Sequence, residues 1–317
     1  MNFFGGIEAG GTKFICMVGS GPQDIRAQAR IPTTRPAETL GRVTDFFKQQ
    51  AQELTLSAIG VASFGPVNQD STSPTFGYIT TTPKPGWENT DMVGRLKAEL
   101  NIPVIFDTDV NAAAFGEYRW GAAQSLDPMI YLTIGTGIGG GVICNGKPLH
   151  GLVHPEMGHM LIPHDLALDP FPGVCPFHGD CFEGLASGPA MAKRWGQPAE
   201  TLPDDHPAWN IEAHHIALAL ANLILNYSPR RIVVGGGVMQ REALFPLVRR
   251  KVQQFLNGYV HSPQILESIE QYIVPPALGN QSGVLGAIAL ARDSIEKSFG
   301  EDGSWQKQRS GDRHVEF

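Results

Sequence analysis

Apolar positions along the chain fall into short blocks separated by glycine-rich turns. Phe3 to Ile7 and Lys13 to Val18 are two such blocks, and Glu8-Ala9-Gly10-Gly11-Thr12 lies between them. That pattern predicts a strand, a tight turn and a returning strand. Ala37 to Leu54 then carries Leu40, Val43, Phe46, Phe47 and Leu54 at helical spacing, and Ser57 to Ser63 is an apolar run of strand length. A loop rich in Thr, Ser and Pro follows as far as Asn89, long enough to suggest a functional segment. Thr90 to Leu100 predicts a helix and Pro103 to Phe106 a strand, and Val110 to Trp120 a helix that begins after Asp107-Thr108-Asp109.

The opening pattern then returns. Met129 to Ile134 leads into the run Gly135 to Gly141 and out through Val142-Ile143-Cys144, a second glycine-tipped hairpin. After a loop rich in Cys and His, His206 to Tyr227 predicts a long helix and Arg231 to Val234 a strand ending in Gly235-Gly236-Gly237. Leu244 and Phe245 lie on the helix after that, and Ser282 to Arg292 on a helix of small residues. Ser294 to Phe317 is polar and aperiodic and reads as a mobile tail.

Composition narrows the function classes. With 317 residues, 42% hydrophobic and 17% charged, the chain can form two lobes with a cleft between them. Its net charge of −7, from 31 acidic against 24 basic residues with no basic run, argues against a nucleic-acid or anionic-membrane surface. The N-terminus lacks the charged and apolar regions of a secretory signal, and no apolar run is long enough to cross a bilayer. A cytoplasmic protein acting on small molecules is the expectation. The 4 cysteines are too few for a disulfide scaffold.

Cys175-x-x-His178-x-x-Cys181, with His159 upstream, offers two thiolates and two imidazoles, the donor set of a closed tetrahedral structural zinc site. The two glycine turns, Gly10-Gly11-Thr12 and Gly135-Thr136-Gly137, allow backbone amides to approach a phosphate, with a threonine hydroxyl as a further donor. Neither has the Lys-Ser/Thr ending of a Walker loop, and strands follow them where a dinucleotide fingerprint would open a helix. Gly235-Gly236-Gly237 fits either an adenosine rest or a plain strand-to-helix turn. Asp109 likewise fits two roles, a base at a cleft or a cap on the helix that follows.

In combination these elements resemble the ROK family of sugar kinases and sugar-responsive repressors. The resemblance rests on Glu8-Ala9-Gly10-Gly11-Thr12-Lys13, Asp107-Thr108-Asp109-Val110-Asn111, the run Gly135 to Gly141, Pro155-Glu156-Met157-Gly158-His159, the Cys175 to Cys181 loop and Gly235-Gly236-Gly237-Val238-Met239. Gly86-Trp87-Glu88-Asn89, Cys181 to Ala190 and Asp205-His206-Pro207-Ala208-Trp209 resemble the family's bacterial fructokinase branch. The resemblance implies a two-lobed α/β fold, actin-like and ribonuclease-H-like. One lobe would span 1–108 joined by the helix 282–293, the other 109–281 with the zinc loop, and 294–317 would be the tail.

It further implies ATP-dependent phosphorylation of a hexose, D-fructose first, with Asp109 as general base. Glu156, His159 and Glu183 would hold sugar hydroxyls, with Thr108, where many relatives carry Asn, and Asn111 beside them. Gly65, Pro66, Trp87 and Asn89 would shape the pocket from the first lobe. Gly10, Gly11, Thr12, Lys13, Gly135, Thr136, Gly137, Gly188, Gly235, Gly236, Gly237 and Met239 would line the nucleotide side, though Lys13 could equally point to solvent. Mg²⁺ would bridge the ATP phosphates, aided through water by Glu8 where relatives carry Asp. In the zinc loop His178 replaces the middle cysteine of the relatives' three. Repressor members carry a DNA-binding helix-turn-helix before the first strand. With that strand starting at Phe3, none is expected here, and the assembly implied is a homodimer.

Overall fold

The structure, a computed structural model, describes residues 2–82 and 84–298. The first hairpin is β1 (Phe3–Ala9) and β2 (Lys13–Gly21), followed by β3 (Asp24–Pro32), α1 (Pro36–Gln50) and β4 (Leu56–Ser63). Two short strands, β5 (Tyr78–Ile79) and β6 (Thr90–Asp91), precede α2 (Val93–Leu100), β7 (Val104–Thr108) and α3 (Asp109–Trp120). The second hairpin is β8 (Met129–Ile134) and β9 (Ile138–Cys144), followed by β10 (Lys147–Pro148). Then come α4 (Phe182–Ala186), α5 (Gly188–Trp195), α6 (Ala208–Tyr227), β11 (Arg231–Gly235), α7 (Leu244–Leu256), α8 (Pro263–Leu266), α9 (Ile269–Tyr272), β12 (Ile273–Val274) and α10 (Ser282–Ser298).

The echo in the sequence is a duplication of topology. One sheet runs β3-β2-β1-β4-β7 and the other β10-β9-β8-β11-β12. In each, the first two pairings are antiparallel and the last two parallel, so the two glycine turns occupy equivalent places. Phe14, Leu40, Val43, Phe47 and Leu96 bury α1 and α2 on one face of the first sheet. Ile130, Leu132, Ile216, Leu220, Ile232 and Val248 bury α6 and α7 on the corresponding face of the second. Each fully buried aliphatic or aromatic side chain is worth ~1.5–3 kcal/mol of transfer free energy.

The facing sides of the two sheets are covered by one helix each. α10 packs Val284, Leu285 and Ile288 on the first sheet, and α3 packs Ala113, Ala114 and Phe115 on the second. The helices cross against one another at glycine: a Cβ on Gly286 would lie 1.7 Å from the carbonyl oxygen of Ala112. Buried Glu117 fastens the crossing. Its carboxylate accepts from the amides of Ala122, Ala277 and Leu278 at 2.6, 3.0 and 2.9 Å and from Ser282 Oγ at 2.7 Å. The first residue of α3 is thereby held at the seam between the two sheets.

Three elements differ from the sequence expectation. β3 is an edge strand with much of its length exposed, so it lacks the apolar block that marks its neighbours. Thr90 and Asp91 pair with β5, and the helix begins only at Val93. α10 continues past 293 to Ser298, where the pairs Arg292–Glu296 at 2.6 Å and Lys297–Asp293 at 2.5 Å extend it. The remainder of the expected tail lies outside the described residues. Among the described residues no helix is long and apolar enough to cross a membrane.

Candidate active site and metal centre

Two cavities, of about 830 and 570 Å³, meet at Asp109, Val110 and Thr133. The approach is close because β9 is glycine-rich where α3 starts. A Cβ on Gly141 would stand 2.6 Å from the Val110 carbonyl oxygen. Thr108, not Asp109, caps α3, its Oγ1 accepting from the Asn111 amide at 3.1 Å. The Asp109 carboxylate is left facing the cavities, with Oδ1 accepting from the Val110 amide at 2.9 Å. Burial pushes its pKa up to about 6. The backbone amides of Val110 and Asp109 itself and the charge of His154 pull the other way, and Glu156 adds a smaller upward push.

The larger cavity holds most of the expected sugar contacts. Gly65 and Pro66 line it from the loop after β4, and Thr108, Glu156, His159 and Glu183 from the other segments, with the turn Gly135-Thr136-Gly137 above. Glu156 Oε1 takes His154 Nε2 at 2.8 Å, and Glu183 Oε2 accepts from the Ile138 amide at 2.8 Å. Trp87 and Asn89 are not on its wall. Trp87 is fully buried in the first lobe, packed on Phe14 and Phe64, and donates from Nε1 to the Thr34 carbonyl at 2.8 Å. The intervening Glu88 lines the cavity instead. Asn111 is also fully buried, donating from Nδ2 to Asp107 Oδ1 at 2.8 Å.

Sequence reasoning missed several wall residues: Glu88, Phe64, Thr81, Thr82, His154, Pro176 and Phe177. Their only sequence signals were position, Glu88 lying between two residues that were expected and Phe177 at the tip of the Cys-x-x-His knuckle.

The smaller cavity is lined by Glu8, Lys13, Tyr131, Gly235, Gly236, Met239, Phe245 and Gly283, among others. Gly10, Gly11 and Thr12 stand outside both linings, as does Gly237. Gly188 supports the second turn from behind, its amide donating to the Gly135 carbonyl at 2.8 Å. Glu8 carries a carboxylate oxygen that is buried without a hydrogen-bond partner. Burial, then the nearby Asp109 charge, push its pKa up to about 7 against the pull of Lys13 and a backbone hydrogen bond. An unpartnered, buried carboxylate oxygen beside Lys13 and Asp109 fits a hydrated divalent cation.

The Cys/His loop closes into one cluster. Cys175 and Gly179 exchange backbone hydrogen bonds at 3.1 and 3.0 Å, which folds the knuckle. His159 ends a short 3₁₀ turn, Met157–His159, that starts from Glu156. His159 Nδ1 lies 3.7 Å from both Cys175 Sγ and Cys181 Sγ, and His178 Nδ1 lies 3.6 Å from Cys175 Sγ. Tetrahedral zinc with its ordinary Zn–S and Zn–N lengths separates nitrogen and sulfur donors by ~3.6 Å, which these three separations match, and all four donor atoms lie within 4.8 Å of one another. His159 also lines the larger cavity, which couples the cluster to the site wall.

Comparison with known proteins identifies the family. Residues 4–294 match the ROK family. The chain is 44% identical over 294 residues to a fructokinase of Pediococcus pentosaceus, covering 93% of this chain and 99% of that protein. It is 45% identical over 293 residues to a fructokinase of Zymomonas mobilis subsp. mobilis, covering 91% and 96%. Among solved structures, a ROK family glucokinase from Streptomyces griseus in complex with glucose and AMPPNP superposes with a TM-score of 0.73 at 25% identity, covering 92% of this chain and 99% of that one.

Proposed function

The chain belongs to the ROK family, and from that premise we propose that it transfers the γ-phosphoryl group of ATP to the 6-hydroxyl of D-fructose. The observation that carries the reading is Asp109, a carboxylate with its pKa at about 6, standing where a cavity walled by Glu156, His159 and Glu183 meets one walled by Lys13, Gly235, Gly236 and Met239. Fructose occupies the first and ATP the second. Fructokinase relatives at 44% and 45% identity over nearly the whole chain support the choice of sugar.

In the reaction the sugar O–H bond breaks as its oxygen bonds to the γ-phosphorus, the bond from that phosphorus to the β,γ-bridging oxygen breaks, and the proton passes to Asp109. With a pKa at about 6 the carboxylate is ionised at neutral pH yet more basic than an ordinary aspartate. Glu156, His159 and Glu183 orient the hydroxyls, converting a bimolecular encounter into a positioned one. Lys13 faces the phosphates from the smaller cavity, and the turn Gly135-Thr136-Gly137, on the wall of the larger, meets the γ-phosphate where the two cavities join. Glu8 would hold Mg²⁺ through water, and the ion would supply positive charge against the developing phosphate charge. Pro176 and Phe177 add an apolar edge to the sugar side. His159, Cys175, His178 and Cys181 would hold zinc with four protein donors, and the ion would then serve to hold the His159 wall. The assembly that completes this reading is a homodimer.

A coupled ADP-release assay with Mg-ATP and fructose, glucose, mannose, N-acetylglucosamine and N-acetylmannosamine tests the proposal. Turnover mainly on fructose is expected. Turnover mainly on another sugar overturns the substrate, and silence on all of them overturns the kinase.

A further inference from the structure

A buried carboxylate paired with a half-exposed histidine lies immediately behind the base. Asp107, 4% exposed, precedes Asp109 by two residues at the end of β7. Its Oδ1 accepts from the Thr108 amide at 2.7 Å, from Asn111 Nδ2 at 2.8 Å and from Gln69 Nε2. Its Oδ2 faces His150 Nε2 at 3.0 Å. A carboxylate can only accept, so the imidazole presents N–H to it. Gln69 Nε2 and Asn111 Nδ2 lie 3.3 and 3.4 Å from that ring nitrogen because all three groups donate to the one carboxylate.

These partners come from three segments. Gln69 belongs to the loop after β4 that carries Gly65 and Pro66. His150 follows β10 and starts the segment that carries His154, Pro155 and Glu156. Asp107 and Asn111 flank the base itself. The loop and the segment are two walls of the larger cavity, so one carboxylate ties both to the turn that presents Asp109.

We propose that Asp107 and His150 are positioning residues whose ion pair holds the two walls of the sugar cavity in register with the base, and so sets the KM for fructose. The inference rests on the proposed function and adds residues that touch neither sugar nor nucleotide. A single charge bridging two walls acts on the affinity of what lies between them more than on the proton transfer.

The pair also makes the affinity depend on pH. The hydrogen bond to Asp107 raises the pKa of His150 above the usual imidazole range, burial opposes it, and the Asp107 charge adds to the rise. Gln69 and Asn111 are neutral, so Asp107 is the charge that faces the imidazole from the packed segments. A raised folded pKa means that the charged pair is complete at low pH and loses its charge as pH climbs through that value. Fructose KM is therefore low near pH 6 and rises toward pH 8.5, by about fivefold for one half-exposed charge-assisted hydrogen bond.

The test is fructose KM and kcat from pH 6 to 8.5 for the wild type, His150→Gln and Asp107→Asn. His150→Gln keeps a neutral donor; it is expected to raise KM about fivefold at pH 6, to flatten its pH dependence and to leave kcat within about twofold. Wild-type KM with the wild-type pH profile in that variant overturns the inference, as does a loss of melting temperature with KM unmoved. Asp107→Asn adds a readout free of turnover. The His150 ring followed by NMR is expected to titrate lower in this variant than in the wild type, and equal titration overturns the pair. Absence of fructose turnover in the wild type overturns the proposed function, whereas wild-type turnover with an unaltered His150→Gln overturns this inference alone.

Discussion

Replacing Asp109 by Asn is expected to stabilise the protein while abolishing turnover. Folding moves this carboxylate from an ordinary pKa of ~3.9 to about 6, chiefly by taking it partly out of water. At full effect that difference corresponds to ~3 kcal/mol, and because the group is open to the cavity, screening reduces it to ~1–2 kcal/mol. The sign follows from proton counting. Between pH ~4 and ~6 the folded chain keeps a proton that the unfolded chain has released, so this group lowers stability as pH rises through that window and adds a constant cost above it. Asparagine carries no charge and retains an oxygen for the Val110 amide. Calorimetry at pH 8 should place the variant about 2–6 °C above the wild type, and at pH 5, where the wild-type group is largely protonated, roughly half that gain should remain. The kcat of the variant should fall by ~10²–10⁴. A variant no more stable than the wild type at pH 8, or one with equal gains at both pH values, refutes the assignment of Asp109 as a carboxylate made basic by burial.

Three further outcomes are expected. The wild-type kcat/KM for fructose should fall about tenfold per pH unit below about 6, where Asp109 takes up its proton; a limb near pH 4 would show a base with an ordinary pKa. Cys181→Ser should lose zinc by elemental mass spectrometry, lower the melting temperature and raise fructose KM through a loosened His159, and unchanged metal content would remove the quartet as a zinc site. Trp87→Phe should cost ~1–3 kcal/mol of stability with fructose KM unchanged, whereas Glu88→Gln should move KM and leave the melting temperature alone; the reverse pattern would restore Trp87 to the pocket.

What the sequence made legible was what is local. Each glycine turn lies between two apolar blocks, so both hairpins and their equivalence could be read directly. The metal quartet could be read because three of its four donors fall in one knuckle. Asp109 was ambiguous from local pattern alone, because an acidic residue before a helix is a cap as often as a base. The structure resolves it by giving the cap to Thr108. Side-chain direction was the harder quantity. Gly86 to Asn89 is a turn, with φ of 79° at Gly86 and 56° at Asn89, and the direction of each side chain in a turn is set by backbone angles that a string marking a pocket does not give. There Glu88 faces the cavity while Trp87 beside it completes the core. Charges brought together from distant segments left no local trace at all. Asp109 pushes up the Glu8 carboxyl because α3 is held at the seam by the crossing at Gly286 and by Glu117, and His150 meets Asp107 because β10 lies against α3. The duplicated topology thus does chemical work: it lets one helix of small residues cover the first sheet and bring the base, carried out of that sheet on α3, against the second.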